Sequence, residues 1–198
     1  MSPSPEGRMW HVRHVQDRPA VRRLPTDQLT SEELAQIRDL LWAAFPPGEE
    51  EFSENDWQHA VGGQHFIAEI DGLIGSHAAV VARELHVGGQ PLRTGYVEAV
   101  ATSPTLQRRG LGSAVMEAVN AHIREAYELG ALGTGAHAFY ERLGWTTWRG
   151  PTSVRTDDDE QRTPDDDGDI LVLPTPTSPS PLDLDAPISC DWRPGDVW

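Results

Sequence analysis

The sequence predicts one α+β domain with a central, mostly antiparallel mixed sheet that is flanked by helices. The chain has 198 residues, which suits one domain with a sizeable core. Its hydrophobic residues recur with a helical period in some stretches and alternate in others. Asp-Gly and Gly-Gly pairs separate three long β-rich stretches, which indicates antiparallel hairpins.

The N-terminal part predicts an edge strand and two helices. Residues 1–18 carry no hydrophobic period, so we expect a flexible leader before the strand. Thr30 and Glu33 have the spacing of a capping box, and an amphipathic helix follows them until Pro46. A second, shorter helix is predicted over residues 55–61.

The middle of the chain alternates between extended and helical patterns. Glycine-bearing turns separate most of these elements and mark where one ends and the next begins. We predict strands at residues 65–70, 73–87, 92–102, 129–134 and 145–148, and helices at residues 112–126 and 136–143.

Residues 151–198 form an acidic, proline-rich extension. They hold eight of the 16 prolines and 12 of the 31 acidic residues, against three arginines. Only residues 170–173 are predicted as a strand here. Trp192 and Trp198 are costly to leave in water, so we expect the extension to fold back and to belong to one domain that spans residues 19–198.

The charge of the chain limits its partners. The net charge is −15, and no lysine is present. Such a chain repels phosphate backbones and anionic membranes, which argues against nucleic acid and membrane partners and favours cationic ligands. Cys190 is the single cysteine and the eight histidines lack ligand spacing, so no disulfide and no metal are expected. Without a recognisable signal peptide or spanning segment, we predict a cytoplasmic protein.

A glycine-bearing loop at residues 107–112 is the strongest chemical motif. It lies between a predicted strand and a predicted helix, so bare backbone amides and the helix N-terminus could together hold a pyrophosphate. It lacks the third glycine of the dinucleotide fingerprint and the lysine of the phosphate-binding loop. On its own, it is equally compatible with a plain strand-to-helix turn.

With its preceding strand, this loop resembles the coenzyme A loop of the GNAT acetyltransferase superfamily, over about residues 20–150. Further motifs resemble the aminoglycoside 2'-N-acetyltransferases over nearly the whole chain. The resemblance implies the GNAT fold and an enzyme that acetylates the 2'-amine of aminoglycosides by direct attack on acetyl coenzyme A, which confers antibiotic resistance. It also suggests a homodimer. The matching segments are residues 95–98, 150–154, 163–168 and 190–198.

The resemblance implies that acetyl coenzyme A binds where the fourth and fifth strands separate. Strand backbone would hold the pantetheine arm, an amide near Val100 would polarise the thioester carbonyl, and loop amides would hold the pyrophosphate. The implied cofactor-binding residues are Val100, Ala101, Thr102, Gln107, Arg108, Arg109, Gly110, Leu111, Gly112 and Ser113.

Two residues match the catalytic positions of the family. A protonated amine cannot attack until a base removes its proton, and Glu98 matches the base that acts through water. The alternative is a strand residue that only binds the cationic substrate. Tyr140 matches the acid that protonates the departing thiolate, although a tyrosine at this spacing also suits a core helix.

Recognition of a polycation requires carboxylates. By resemblance the acceptor would contact Glu51, Glu98, Asp166, Asp196 and Trp198, whose ring would cap a sugar while the terminal carboxylate pairs with an ammonium group. A solvated acidic surface is the alternative. Two other functions stay open: acetylation of another cationic amine, such as a polyamine, a cell-wall precursor or a protein, and non-catalytic binding of acetyl coenzyme A or an aminoglycoside.

Overall fold

Ten strands in one mixed sheet and four helices make up the described part of the chain, which in this computed structural model comprises residues 19–46, 48 and 52–198. The predicted leader at residues 1–18 lies outside the described residues. The helices are α1 (Ser31–Ala44), α2 (Glu54–Ala60), α3 (Leu111–Ala126) and α4 (His137–Glu141). The strands are β1 (Val21–Pro25), β2 (Gln64–Ile70), β3 (Leu73–Val87), β4 (Gln90–Thr102), β5 (Leu129–Gly133), β6 (Thr146–Thr147), β7 (Thr152–Arg155), β8 (Glu160–Arg162), β9 (Ile170–Pro174) and β10 (Ile188–Asp191).

The α+β class and the mostly antiparallel sheet are confirmed. Among the described strands, only two neighbouring pairs run parallel, β4 with β5 and β10 with β7. The predicted hairpins connect β2, β3 and β4 in an antiparallel meander, and β1 pairs with β2 alone. The main path of the sheet runs β6-β9-β5-β4-β3-β10-β7-β8, so the predicted central strands lie at its centre.

Helix α1 begins and ends where the sequence predicts. The Thr30 hydroxyl accepts a hydrogen bond from the Glu33 amide at 3.2 Å, and the Glu33 carboxylate accepts one from the Thr30 amide at 2.8 Å. The helix ends at Ala44, because a residue that precedes a proline is disfavoured in the helical conformation. Together α1 and α2 cover one face of the sheet, while α3 and α4 pack against a separate hydrophobic cluster.

The C-terminal extension contains more structure than the sequence predicts. The expectation of a single strand is wrong, because β7, β8 and β10 form as well as β9. These three strands have three or four residues each. Strands β7 and β8 form a short hairpin with few hydrophobic residues, and the partners of β10 are distant in sequence, so no hydrophobic alternation marks them. Trp198 is buried at 4% exposure as expected, whereas the ring of Trp192 is 59% exposed and the expectation for that residue is wrong.

Strand β4 contains a bulge where the site is built. His77 pairs with Ala101 and Ala79 pairs with Glu98, so one residue of β3 opposes two residues of β4. One of these two residues, Ala99, has a φ of 52°, which is the left-handed region. Bulges of this kind redirect the backbone and its side chains.

Candidate active site

A cavity of about 940 Å³ opens where β4 and β5 separate. The two strands pair in parallel only from Thr94 to Tyr96 on β4, so the rest of β4 has no partner in β5. Residues of α2, β4 and β5 line the cavity, together with the segment that leads into α4 and the C-terminal extension. The separation of β4 from β5 therefore creates an elongated cleft in the middle of the sheet.

The loop between β4 and α3 offers free donors at one end of this region. Gly110 caps α3 with a φ of 86°, and the first intrahelical hydrogen bond runs from the Ala114 amide to the Gly110 carbonyl. The amides that precede Ala114 are thus available to a ligand, as at other helix N-termini that bind phosphate. Arg108 and Arg109 are exposed beside them, and Arg108 has a φ of 61°.

Gly112 lets the start of α3 approach the end of β4 closely. A Cβ atom at this position would lie 2.9 Å from the Thr102 hydroxyl oxygen, so no other residue fits without a shift. The residues of the loop do not line the cavity itself, and Ala101 is buried at 5% exposure, so only its backbone can contribute. Free amides, a glycine cradle and two cationic side chains fit the pyrophosphate end of acetyl coenzyme A.

A chain of hydrogen bonds from side chains holds the bulge of β4. His77 Nδ1 lies 2.8 Å from the Ala99 carbonyl and must donate to it, which leaves His77 Nε2 to accept from His65 Nδ1 at 2.9 Å. His65 Nε2 then accepts from the Thr26 hydroxyl at 2.8 Å. Burial lowers the pKa of His65 to about 4 and that of His77 to about 3, so both rings are neutral near pH 7.

Glu98 follows Tyr96 on the face of β4 that lines the cavity. Burial raises the pKa of its carboxyl group, and an ion pair with Arg193, whose Nη1 atom lies 2.6 Å from Glu98 Oε1, opposes that rise. Both side chains are largely buried, at 12% exposure for Glu98 and 14% for Arg193. The sequence placed Glu98 at the site but assigned no function to Arg193.

Tyr140 lines the same cavity from α4 and is 7% exposed. Its ring packs edge-on against Phe139, with a centroid distance of 4.9 Å, and against Trp145 at 6.3 Å. Burial raises the pKa of its hydroxyl group, which therefore stays protonated at neutral pH. Within the described residues this hydroxyl has no hydrogen-bond partner, so it is available to a ligand.

The cavity is strongly acidic. Asp166 and Asp196 line it as predicted, and Asp56 and Asp169 add two carboxylates that the sequence analysis missed. Burial raises the pKa of Asp166, and the nearby carboxylate of Asp196 adds to the rise. Glu51, which was also predicted here, lies outside the described residues. An acidic cavity of this kind suits a ligand with several positive charges.

The end of the chain forms one wall of the cavity. Trp198 packs into a hydrophobic cluster, and its indole N–H donates to the Thr163 hydroxyl at 3.0 Å. The predicted capping of a sugar by this ring is not supported, because the ring is a core group with 4% exposure. A Cβ on Gly133 would lie 3.7 Å from the terminal carbon of Trp198 and 3.6 Å from the Tyr96 hydroxyl, so both groups approach the cavity at this glycine.

No group of three histidine, cysteine or acidic side chains among the described residues has the geometry to hold a metal ion. No described helix is long and apolar enough to cross a membrane.

Known proteins resemble this chain in sequence. A family model described as an acetyltransferase (GNAT) domain matches residues 26–148. An aminoglycoside 2'-N-acetyltransferase of Mycolicibacterium fortuitum is 44% identical over 180 residues, which cover 89% of this chain and 91% of that protein.

Solved structures resemble the fold. YhbS of Escherichia coli, a GNAT family N-acetyltransferase in complex with CoA, aligns with a TM-score of 0.62 and 16% identity over 89% of this chain and 90% of that chain. A GNAT family acetyltransferase of Brucella melitensis in complex with acetyl-CoA aligns with a TM-score of 0.52 and 20% identity over 76% and 94%. At these identities the likeness concerns the fold alone.

Proposed function

The chain belongs to the GNAT acetyltransferase family, and within that family we propose that it transfers the acetyl group of acetyl-CoA to the 2'-amino group of aminoglycosides. One observation carries the proposal: Glu98 and Tyr140 line a single, strongly acidic cavity that opens where β4 and β5 separate. The sequence identity of 44% with an aminoglycoside 2'-N-acetyltransferase supports the choice of acceptor.

Glu98 is the proposed base. The 2'-ammonium group must lose a proton before its nitrogen can attack, and a carboxylate in a water-poor cleft with a raised pKa accepts that proton more readily than an exposed one. Bound acetyl-CoA supplies the acetyl group as an activated thioester. The separated part of β4, with the amide near Val100 beside the bulge, faces the cleft and can donate to the carbonyl oxygen.

Tyr140 is the proposed acid. Its hydroxyl has no partner among the described residues and stays protonated across the neutral range, so it can donate to the sulfur as the bond to the acetyl carbon breaks. The proton taken by Glu98 leaves to solvent, and Tyr140 regains its proton from water. These steps need no metal and no covalent acyl-enzyme, and Cys190 lies buried with its thiol against the Val197 carbonyl at 3.2 Å.

The acidic lining explains the proposed acceptor. Five acidic side chains line the cavity, and Arg193 is the only fully charged cation of that lining within the described chain. A neutral or anionic acceptor would gain nothing from this arrangement, whereas an aminoglycoside carries several ammonium groups. The acidic side chains of the lining are Asp56, Glu98, Asp166, Asp169 and Asp196.

The test is CoA release by the purified protein with aminoglycosides that bear a 2'-amine and with relatives that bear a 2'-hydroxyl. We expect turnover with the amines alone, and NMR of the product should show the acetyl group on the 2'-nitrogen. Glu98→Gln should abolish turnover, whereas Glu84→Gln, on an exposed part of β3, should not. Absence of turnover with every aminoglycoside, in protein that still binds acetyl-CoA, would overturn the proposal.

The proposal also covers where the enzyme is located and how it assembles. A cytoplasmic enzyme agrees with the buried free thiol of Cys190, because the cytosol keeps thiols reduced. A homodimer is the assembly that we expect, and light scattering of the purified protein tests it.

A further inference from the structure

Arg193 connects the last residues of the chain to the proposed base. Its Nη1 atom donates to Glu98 Oε1 at 2.6 Å, its Nε atom to the Asp196 carbonyl at 2.8 Å and its Nη2 atom to the Trp198 carbonyl oxygen at 3.1 Å. The guanidinium group also lies over the ring of Tyr96, 5.5 Å from the centroid. A planar group with five donors can make these contacts together, and an ammonium group cannot.

Without Arg193, the surroundings of Glu98 would favour the neutral form of its carboxyl group. The side chain is 12% exposed, and removal from water disfavours an ionised carboxyl group unless an opposite charge compensates for it. A neutral carboxylic acid cannot take a proton from an amine, so a base without compensation would be inactive over part of the neutral range. Arg193 is the residue that makes direct contact with this carboxylate.

We propose that Arg193 is a positioning residue for acetyl transfer, which keeps Glu98 ionised in the cleft and fixes the backbone of Asp196 and Trp198 beside the acceptor. This inference rests on the proposed function of Glu98 as the base. Arg193 does not contact the reacting atoms itself, and it acts through the Glu98 carboxylate and the backbone carbonyl groups that it holds.

Other charges face Glu98 from several elements. Burial raises the pKa of Glu98, Arg193 gives the largest opposing effect, Arg83 of β3 lowers it further, and Asp196 raises it. His59 of α2 is neutral near pH 7, because burial and the charge of Arg193 lower its pKa. The other titratable side chains that line the cavity are Asp56, Tyr96, Tyr140, Asp166 and Asp169.

The test compares Arg193→Gln, Arg193→Lys and a control, Arg155→Gln. Arg155 matches Arg193 in burial and pairs with Asp191 at 2.7 Å, but it does not line the cavity. The measured quantity is the pH profile of kcat/KM for the aminoglycoside. We expect the acidic limb to move up by about one pH unit in Arg193→Gln, and to stay in place in Arg193→Lys and in Arg155→Gln.

The kinetic constants separate the two effects of Arg193. In Arg193→Gln, kcat should fall on the acidic side of the profile, by at most about tenfold, because a shift of one unit lowers the ionised fraction of Glu98 by that factor where the pH lies below both pKa values. In Arg193→Lys, the KM for the aminoglycoside should rise, since one ammonium group cannot hold Glu98, Asp196 and Trp198 together. The KM for acetyl-CoA should change less than twofold in each variant. An unmoved acidic limb in Arg193→Gln, or identical profiles for the Gln and Lys variants, would overturn the inference.

A second readout does not depend on turnover. Protein labelled with ¹³C at the glutamate carboxyl carbons is titrated by NMR without ligands, and the signal missing from Glu98→Gln identifies Glu98. Arg193→Gln should raise the pKa of Glu98 by about one unit, and Arg155→Gln should leave it unchanged. An unchanged titration refutes the inference, whereas a shifted titration in a protein that acetylates no aminoglycoside refutes only the proposed function.

Discussion

Replacement of Tyr140 by phenylalanine tests the proposed acid with little disturbance of the fold. The ring of Tyr140 packs against Phe139 and Trp145, and phenylalanine keeps those contacts. The lost hydroxyl has no partner among the described residues, so the free energy of unfolding should change by less than about 0.5 kcal/mol. The effect should therefore appear in catalysis alone.

The size of the effect follows from the acidity of the hydroxyl. General acid catalysis typically contributes about 10²-fold to 10⁴-fold. Burial raises the pKa of Tyr140 above its ordinary value, whereas a free thiol has a pKa near ~8.5. The phenolate is thus a stronger base than the thiolate, so full transfer of the proton to the sulfur is uphill even after the bond has broken, and we expect the lower end of the range. A loss of about 10²-fold in kcat corresponds to roughly 2.7 kcal/mol in the barrier.

The assay is CoA release with acetyl-CoA and with acetyl thioesters of more acidic thiols. A better leaving group needs no protonation, so it should restore much of the activity of Tyr140→Phe. The activity of the wild-type enzyme should change little with such a thioester. Tyr127→Phe is the matched control. The Tyr127 hydroxyl also has no hydrogen-bond partner among the described residues, but Tyr127 does not line the cavity. If Tyr140→Phe keeps more than half of kcat, or loses the same factor with every thioester, Tyr140 is not the acid.

Three further predictions concern stability and the tail. Trp198→Ala should destabilise the fold by about 3–5 kcal/mol in urea unfolding, because a buried indole is lost. Activity should fall with stability. If the variant keeps both its stability and its activity, the buried position of Trp198 is wrong. Gly150→Ala should lower the melting temperature markedly, since its Cβ would overlap the Ala186 carbonyl oxygen, and an unchanged value would refute the close approach. The lowered pKa values of His65 and His77 mean that the unfolded chain binds more protons below pH 6.5, so stability should fall from pH 6.5 towards pH 4 by about 1.4 kcal/mol per unit for each histidine. His65→Gln should reduce that slope, and an equal slope would exclude the histidine chain as its cause.

The sequence predicts the elements whose signals are local. A capping box predicts the start of α1, and paired turn residues predict the meander of β2, β3 and β4. Helix α4 and strand β6 are shorter than predicted, because ends of elements depend on neighbours rather than on period. Strand β10 could not be predicted, since its two partners, β3 and β7, are about 100 and 36 residues away in sequence.

The residues of the candidate site also fall into those that the sequence predicts and those that it does not. Glu98 and Tyr140 lie in motifs, and both line one cavity of the structure. Arg193 belongs to a matching motif as well, but its contact with Glu98 depends on the path of the extension around the sheet. The Asp56 side chain completes the capping box of α2, and this is a sufficient local reason for an acidic residue at that position. Nothing in the sequence indicated that Asp56 also lines the cavity.

The position of β10 has a consequence for the order in which the protein matures. Within the described sheet, the hairpin of β7 and β8 is connected to β3 only through β10, which ends seven residues before the C-terminus. Strand β10 is the last strand of the described sheet along the chain, so the hairpin of β7 and β8 can join the rest of the sheet only after residues 188–191 have left the ribosome.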